Sequence, residues 1–166
     1  VGSEMCIRDS ATSFGVSRLP KRQANAAKGF LSRLDDIYVR ETSGQKLIKE
    51  LTGKDVRIVC DPTLLFSAEE WNAMAPQERR IKEPYVLCYF LGNNPQHRKW
   101  AKQLSDATGC KIVQLMHLDE YIKSDGGVAD YPLYEVDSLE FVGLIREAEY
   151  VLTDSFHCTI FSTLFR

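Results

Sequence analysis

The fold of this chain is decided by the stretch YVLTDSFHCTIFS, residues 150–162. Its first four residues are apolar or β-branched and predict a short buried strand. From Phe156 onward apolar side chains recur at helical spacing, and Asp154 and Ser155 just before them are both good N-cap residues. The stretch therefore predicts a strand, a tight turn and a helix whose first turn carries His157.

The first turn of that helix is suited to bind an anion. Backbone N–H groups without helical partners meet the positive end of the helix dipole there. His157 could donate a hydrogen bond to such an anion or pass it a proton. Because strand-to-helix turns are common in α/β domains, His157 could equally be a packing residue at the top of a sheet. Geometry alone leaves both interpretations open.

The composition is that of an ordinary globular protein. Of 166 residues, 44% are hydrophobic and 27% charged, and the formal net charge of −2 provides no basic field for nucleic acid. No apolar run approaches the length of a membrane span. The five cysteines are scattered singly, which fits no metal motif and indicates a reducing compartment such as the cytoplasm. We expect no metal site and no cofactor.

The rest of the chain alternates strand and helix patterns, which predicts α/β domains with parallel sheets. Predicted strands cover 36–40, 56–60, 85–91, 111–118 and 150–153, and the segment 85–91 is apolar throughout, as expected for a strand buried on both faces. A helix capped by Ser43 separates the first two strands. The segment 119–136 is predicted to be a long loop, with a binding or lid role.

The charged segment 76–84 is the predicted boundary between two domains, 11–75 and 85–166. Residues 1–10 show no clear periodicity and are predicted to be a non-native segment. At the other end, residues 161–166 stop inside an apolar helical pattern without a stop signal. We therefore expect the chain to be an internal fragment, with the first domain lacking its beginning and the second its end.

Candidate ligand-binding residues follow three predicted strands. Arg40 ends one strand, Asp61 and Thr63 follow another, and His157 begins the helix after a third. In open parallel sheets, ligands bind outside the carboxyl ends of the strands, and clefts between domains are favoured sites. These residue types indicate an anionic ligand.

Each candidate also has a structural interpretation. Arg40 could form a surface ion pair with Glu41 or Asp36. Asp61 and Thr63 could serve only local turn bonding. Ser155 reads more as a helix cap than as a nucleophile, since no third member of a triad is evident beside His157.

Five stretches, taken in order, resemble the polysaccharide pyruvyl transferase family. They are SFGVS (13–17), YVRE with SG (38–41 and 43–44), DPTLL (61–65), YVLCYFLG (85–92) and TDSFH (153–157). Each stretch is short, but five in order are a specific signal over most of residues 11–166. Cys158 departs from the pattern, since the family usually has glycine there, and its thiol could crowd a ligand that approaches the backbone.

The resemblance implies two facing Rossmann-like domains of the glycosyltransferase GT-B type, both incomplete in this chain. It implies transfer of pyruvate from phosphoenolpyruvate to two hydroxyls of a cell-surface polysaccharide sugar, as in exopolysaccharide biosynthesis. Arg40 would clamp the donor between the two domains, and His157 would act as general acid or phosphate partner. Ser155, Asp61 and Thr63 would contribute to substrate binding.

The implied partners are phosphoenolpyruvate and a saccharide or lipid-linked saccharide, and the latter is compatible with peripheral membrane association. A nucleotide-sugar-dependent glycosyltransferase of the same build, with His157 at a diphosphate, is one alternative. A non-catalytic carbohydrate-binding relative is another, because fold similarity does not separate these functions. We expect the 166 residues alone to be poorly stable and inactive, since sheet edges and apolar faces would remain uncovered.

Overall fold

The computed structural model describes residues 8–165, which form a mixed α/β structure with two separate parallel sheets. The chain divides into two compact units between Leu65 and Phe66. The predicted α/β class with parallel sheets is thereby confirmed. Within the described residues, no helix is both long enough and apolar enough to cross a membrane. The predicted non-native segment 1–10 lies mostly outside the described residues, but residues 8–10 belong to the first strand.

The first unit is a three-stranded parallel sheet with two helices. Its strands are β1 (Arg8–Thr12), β2 (Asp36–Val39) and β3 (Arg57–Ile58), in the spatial order β1-β2-β3, and its helices are α1 (Lys21–Leu31) and α2 (Thr42–Thr52). Ile37, Val39, Ile48 and Val56 form its buried core. Helix α2 begins two residues earlier than predicted, with Glu41 at the N-cap, so Ser43 lies inside it rather than capping it.

The second unit is a four-stranded parallel sheet with helices connecting its strands. Its strands are β4 (Tyr85–Tyr89), β5 (Lys111–Leu115), β6 (Tyr131–Leu133) and β7 (Tyr150–Thr153). Its helices are α3 (Ala68–Met74), α4 (Pro95–Thr108), α5 (Ser138–Glu147) and α6 (Phe156–Leu164). The spatial order β6-β5-β4-β7 corresponds to 3-2-1-4, the first four strands of the doubly wound Rossmann order.

Strand β4 lies inside the second sheet and is buried on both faces, as its apolar sequence predicts. Tyr85 and Leu87 belong to one buried cluster, whereas Val86 and Cys88 belong to the other. The alternation follows from the two-residue period of a strand, which sends neighbouring side chains to opposite faces. Helices therefore cover both faces of β4 and hold its carboxyl end in place.

The segment 76–84, predicted as an interdomain linker, lies within the second unit. Ile81 is buried in a core cluster of that unit. Arg146 in α5 donates to the carbonyl oxygen of Pro76 at 2.7 Å, and Arg80 pairs with Glu140 at 3.0 Å. The segment 76–84 therefore binds the surface of α5. For this reason its polar composition does not mark the division between the two units.

Two further predictions about the second unit need correction. The segment 119–136 is not a structureless loop, because it contains a 3₁₀ turn (Lys123–Asp125) and strand β6. Strand β7 was expected to be buried, but among the described residues it lies at the sheet edge and Tyr150 is exposed. An apolar sequence cannot distinguish an edge strand from a central strand, because the difference depends on which strand pairs with it.

Candidate functional site

The carboxyl edge of the first sheet brings Arg40, Asp61 and Thr63 together. Arg40 follows β2, and its guanidinium is paired with the Asp61 carboxylate, which lies beyond β3. The other Asp61 oxygen accepts hydrogen bonds from the Thr63 backbone N–H at 3.0 Å and the Thr63 hydroxyl at 2.7 Å. Sequence reasoning anticipated the turn bonding of Asp61 and Thr63. It considered Glu41 and Asp36 as partners of Arg40 and did not consider Asp61, with which Arg40 pairs in the structure.

The Asp61 carboxyl is buried, with 4% of the residue exposed. Burial opposes its ionisation, but the hydrogen bonds from Thr63 and Arg40 outweigh burial and hold the pKa of Asp61 below its ordinary value. Its two oxygens are committed to Thr63 and Arg40. Asp61 is therefore placed to orient the Arg40 guanidinium.

Replacing Asp61 with asparagine should lower the free energy of unfolding by about 1–3 kcal/mol at pH 7, because a buried charge-assisted hydrogen bond is lost. The folded pKa lies below the unfolded value of 3.8. The wild-type contribution is therefore fully present above that value and is lost as the pH falls through the folded pKa. Urea unfolding at pH 7 and at progressively lower pH should show the two proteins converging in acid.

Asp55→Asn is the matched control for this prediction, because Asp55 pairs with Lys49 at 2.6 Å but its side chain is 87% exposed. An exposed pair contributes only about 0–1 kcal/mol. A pH-independent difference between Asp61→Asn and wild type would contradict the linkage argument.

Glu41 joins a second pair of loops at the same edge. Its Oε1 atom accepts hydrogen bonds from the Ser13 hydroxyl at 3.0 Å and the Phe14 N–H at 3.1 Å. A Cβ atom at Gly44 would meet that oxygen at 3.1 Å, so a side chain there would press on the carboxylate. The loops after β1, β2 and β3 are therefore held together by Glu41 and by the Arg40–Asp61 pair.

The corresponding edge of the second sheet carries Ser155 and His157. Ser155 is the N-cap of α6, and its hydroxyl accepts from the Cys158 N–H at 3.4 Å. This is the capping role that the sequence favours over a nucleophile. His157 lies exposed in the first turn of α6, with the Phe156 ring at a centroid distance of 5.4 Å. The predicted strand, turn and helix are thus present.

Asp154 connects the turn after β7 to the turn after β4. Its Oδ1 atom accepts a hydrogen bond from the Leu91 N–H at 2.6 Å, and its Oδ2 atom lies 3.6 Å from His97 Nδ1. Strands β4 and β7 are the first and fourth of the unit, so the strand order reverses between them. Ligands of open α/β sheets bind at such a switch point. The turn carrying His157 is therefore at the position where this fold binds ligands.

Sequence reasoning missed the roles of Glu41, Asp154 and His97. Glu41 and Asp154 each follow the end of a strand, and this position in the sequence could have marked them as candidates. Their hydrogen-bond partners could not be predicted, because they are 27 and 63 residues away. His97 lies in the first turn of α4. It lies half-buried between the rings of Phe90 and Trp100, at centroid distances of 5.2 and 5.6 Å.

Cys158, the departure from the family pattern, points into the protein. Its side chain is fully buried in the cluster that contains Phe161. Burial raises the pKa of the thiol, more than hydrogen bonds with Thr153 and Ser162 lower it. The thiol therefore packs in the core and does not crowd the exposed start of α6.

Replacing Cys158 with glycine should destabilise the protein by about 1–3 kcal/mol, since it removes buried packing and places glycine inside a helix. Catalytic turnover should change little, because the thiol lies on the core side. Thermal unfolding and steady-state kinetics of Cys158→Gly, compared with Cys158→Ala, separate the packing effect from the glycine effect. A large change in turnover with unchanged stability would contradict this placement.

Comparison with known proteins identifies the family. The family model for polysaccharide pyruvyl transferase matches residues 10–166. Neither the curated proteins nor the solved structures give a match. The matched range includes both sheet edges described above, with Arg40, Asp61, Thr63, Ser155 and His157. The match covers nearly the whole chain, and the chain therefore belongs to the polysaccharide pyruvyl transferase family.

Proposed function

We propose that the protein transfers the pyruvyl group of phosphoenolpyruvate to two hydroxyls of a sugar, giving a pyruvate ketal and phosphate. The observation that carries this proposal is the location of the site residues. Residues with anion-binding or proton-transfer chemistry follow β2 and β3 in one unit and β7 in the other, within the matched family range. A donor with a carboxylate and a phosphate needs such groups.

Arg40 is proposed to bind a negatively charged group of the donor. Asp61 orients the guanidinium, and a planar guanidinium is the group that binds two oxygens of a carboxylate or phosphate at once. Thr63 holds Asp61 in turn, so the two residues would support donor binding through Arg40. We therefore propose that Asp61 and Thr63 contribute to substrate binding indirectly, by positioning Arg40.

His157 is proposed to act as the general acid. The methylene carbon of phosphoenolpyruvate takes up a proton and becomes a methyl group, while cationic character develops at the adjacent carbon. One sugar hydroxyl adds to that carbon, phosphate leaves, and the second hydroxyl adds to close the ketal. The two hydroxyls release two protons, which balance the proton taken by the methyl carbon and one carried away by phosphate.

The backbone at the start of α6 is proposed to bind the donor phosphate. Ser155 caps α6 by accepting from the Cys158 N–H at 3.4 Å, and the positive end of the helix dipole at this exposed start favours an anion. A bound dianion would favour the protonated form of the neighbouring imidazole, so donor binding would promote protonation of His157.

We further propose a GT-B arrangement of two Rossmann-like domains, a cytoplasmic location, and an acceptor that is a saccharide or lipid-linked saccharide of exopolysaccharide synthesis.

The test is phosphate release from phosphoenolpyruvate by the purified protein. Release should require a saccharide acceptor, and mass spectrometry should detect the ketal on that acceptor. Release of a nucleoside diphosphate from a nucleotide sugar would support a glycosyltransferase instead. Ligand binding without turnover of either donor would support a carbohydrate-binding relative.

A further inference from the structure

Asp154 connects the turn that carries His157 to a second histidine, His97. The Oδ1 atom of Asp154 accepts a hydrogen bond from the Leu91 N–H at 2.6 Å, in the turn that follows β4. Its Oδ2 atom lies 3.6 Å from His97 Nδ1, and the His97 and Asp154 side chains are 22% and 30% exposed. The proposed function gives a role to His157 but none to Asp154 or His97.

The helix cap at Asn94 determines which ring nitrogen of His97 carries the proton. The side-chain oxygen of Asn94 is the N-cap acceptor of α4 and binds the Gln96 N–H at 3.0 Å. The Asn94 amide nitrogen therefore faces His97 Nε2, at a distance of 3.2 Å. Because an amide nitrogen can only donate, Nε2 accepts, and a neutral imidazole then carries its proton on Nδ1. That proton is on the side of the Asp154 carboxylate.

His97 Nδ1 is enclosed and makes no hydrogen bond within the described part of the chain. Its distance of 3.6 Å to Asp154 Oδ2 is longer than a hydrogen bond, so the contact is electrostatic. Buried polar groups are nearly always hydrogen-bonded, and an approach to the usual length of about 2.9 Å would satisfy Nδ1. Asp154 is thus the carboxylate placed to receive the proton of this imidazole in a hydrogen bond.

Two neighbouring aromatic rings hold the His97 ring in its orientation. The ring lies between Phe90 and Trp100, at centroid distances of 5.2 and 5.6 Å, and its plane is within 21° of the Trp100 plane. Stacking fixes the plane of the ring, and the Asn94 contact distinguishes this orientation from the flipped one. Nδ1, rather than a ring carbon, therefore faces Asp154.

The turn that follows β4 is a fixed support for these contacts. Arg98 is 3% exposed and pairs with Asp125 at 2.6 Å. It also donates to the carbonyl oxygens of Gly92 at 2.7 Å and Asn94 at 3.2 Å. Hydrogen bonds from a charged group are stronger than those between neutral groups. Asp154 is therefore attached to a backbone turn that is held in place independently.

We propose that His97 is a positioning residue for His157. Its Nδ1–H orients the Asp154 carboxylate, which holds the start of α6 against the turn after β4. Misplacing a catalytic group by about 1 Å can cost about 10²-fold in rate. His97 can therefore control kcat without touching the substrate. The effect on kcat rests on the proposed function, whereas the effect on the position of the turn does not.

Three replacements of His97 separate positioning from ring packing. His97→Asn keeps an amide donor near the position of Nδ1, His97→Gln moves the donor towards the position of Nε2, and His97→Phe keeps a ring without a donor. We expect His97→Asn to retain most of the turnover, and the other two to lose about 10- to 100-fold in kcat. Packing alone would give the reverse order, with His97→Phe closest to wild type. Lys99→Ala, at an exposed position of the same helix, is the matched control with unchanged kcat.

Nuclear magnetic resonance of the purified protein tests the contact without turnover. Nitrogen shifts of the His97 imidazole should place the proton on Nδ1. The Leu91 amide proton should exchange with solvent about tenfold faster in His97→Phe than in wild type or His97→Asn, because its acceptor Asp154 is no longer oriented. Thermal unfolding checks that each variant is folded, and His97→Gln carries the same expectation if His97→Phe is not.

Three results would each overturn the assignment of His97. They are a proton on Nε2 alone, Leu91 exchange unchanged in both His97→Phe and His97→Gln, and a wild-type kcat in both of these variants. Failure of the proposed pyruvyl transfer would appear differently. Neither wild type nor any variant would then turn over phosphoenolpyruvate, while the order of Leu91 exchange rates would still support the positioning of the turn by His97.

Discussion

Replacing His157 with alanine is expected to lower the rate of pyruvyl transfer about 10²–10⁴-fold, the usual contribution of a general acid. The side chain is exposed at the start of α6, so its removal should leave the fold intact. Phosphate release from phosphoenolpyruvate, with both substrates saturating, measures the effect on kcat. Because the imidazole supplies a proton in the transition state, kcat should fall more than donor affinity.

Two further variants make this result specific to the imidazole. His157→Gln retains hydrogen bonding but cannot transfer a proton, and it should be nearly as slow as His157→Ala. Thr163→Ala removes an exposed side chain from the same helix, and it should retain normal turnover. Near-normal turnover of His157→Ala would identify His157 as a packing residue.

Replacing Arg40 with lysine is expected to raise the KM for phosphoenolpyruvate about 10- to 150-fold, with a much smaller effect on the acceptor KM. The guanidinium pairs with Asp61, which orients it, and a guanidinium can hold two oxygens of an anion in one fixed geometry. A lysine ammonium keeps the charge, but it cannot hold two carboxylates in the same fixed geometry. The expected change corresponds to loss of about 1.5–3 kcal/mol of charge-assisted hydrogen bonding.

The measurement is steady-state kinetics with each substrate varied in turn. Arg22→Lys is the matched control. Arg22 is an exposed arginine of the same unit, but it lies at the beginning of α1 and not among the residues that follow β2 and β3. An unchanged donor KM with normal kcat in Arg40→Lys would restrict Arg40 to its structural pair with Asp61. Of Arg40 and His157, only His157 would then remain a candidate for binding an anionic donor.

Some features of the fold could be predicted because local sequence determines them. Capping boxes at Ser67 and Asp137, the Asn94 cap, and the glycine stops at Gly53 and Gly109 all appear in the structure. These signals act over three or four residues, within reach of one turn of backbone. The short strand β6 was missed, because three residues within a segment rich in glycine and aspartate carry too little pattern.

The candidate site also has features that the sequence predicts and features that it does not. The sequence placed Arg40, Asp61 and His157 after strand ends, and the structure confirms those places in the chain. It did not predict that Arg40 pairs with Asp61, because that contact requires β2 and β3 to be neighbours in register. It also did not predict the Asp154 contact with Leu91, which requires β7 to pair with β4.

The sequence by itself determined the family, the α/β class and the strand-turn-helix that presents His157, since these depend on residue types and short-range periodicity. Only the tertiary structure decided which loops meet, where the compact units divide and that His97 faces Asp154. The physical reason is that strand order and buried charge pairs join residues tens of positions apart. No local preference records such contacts, because they form only when distant strands are already paired.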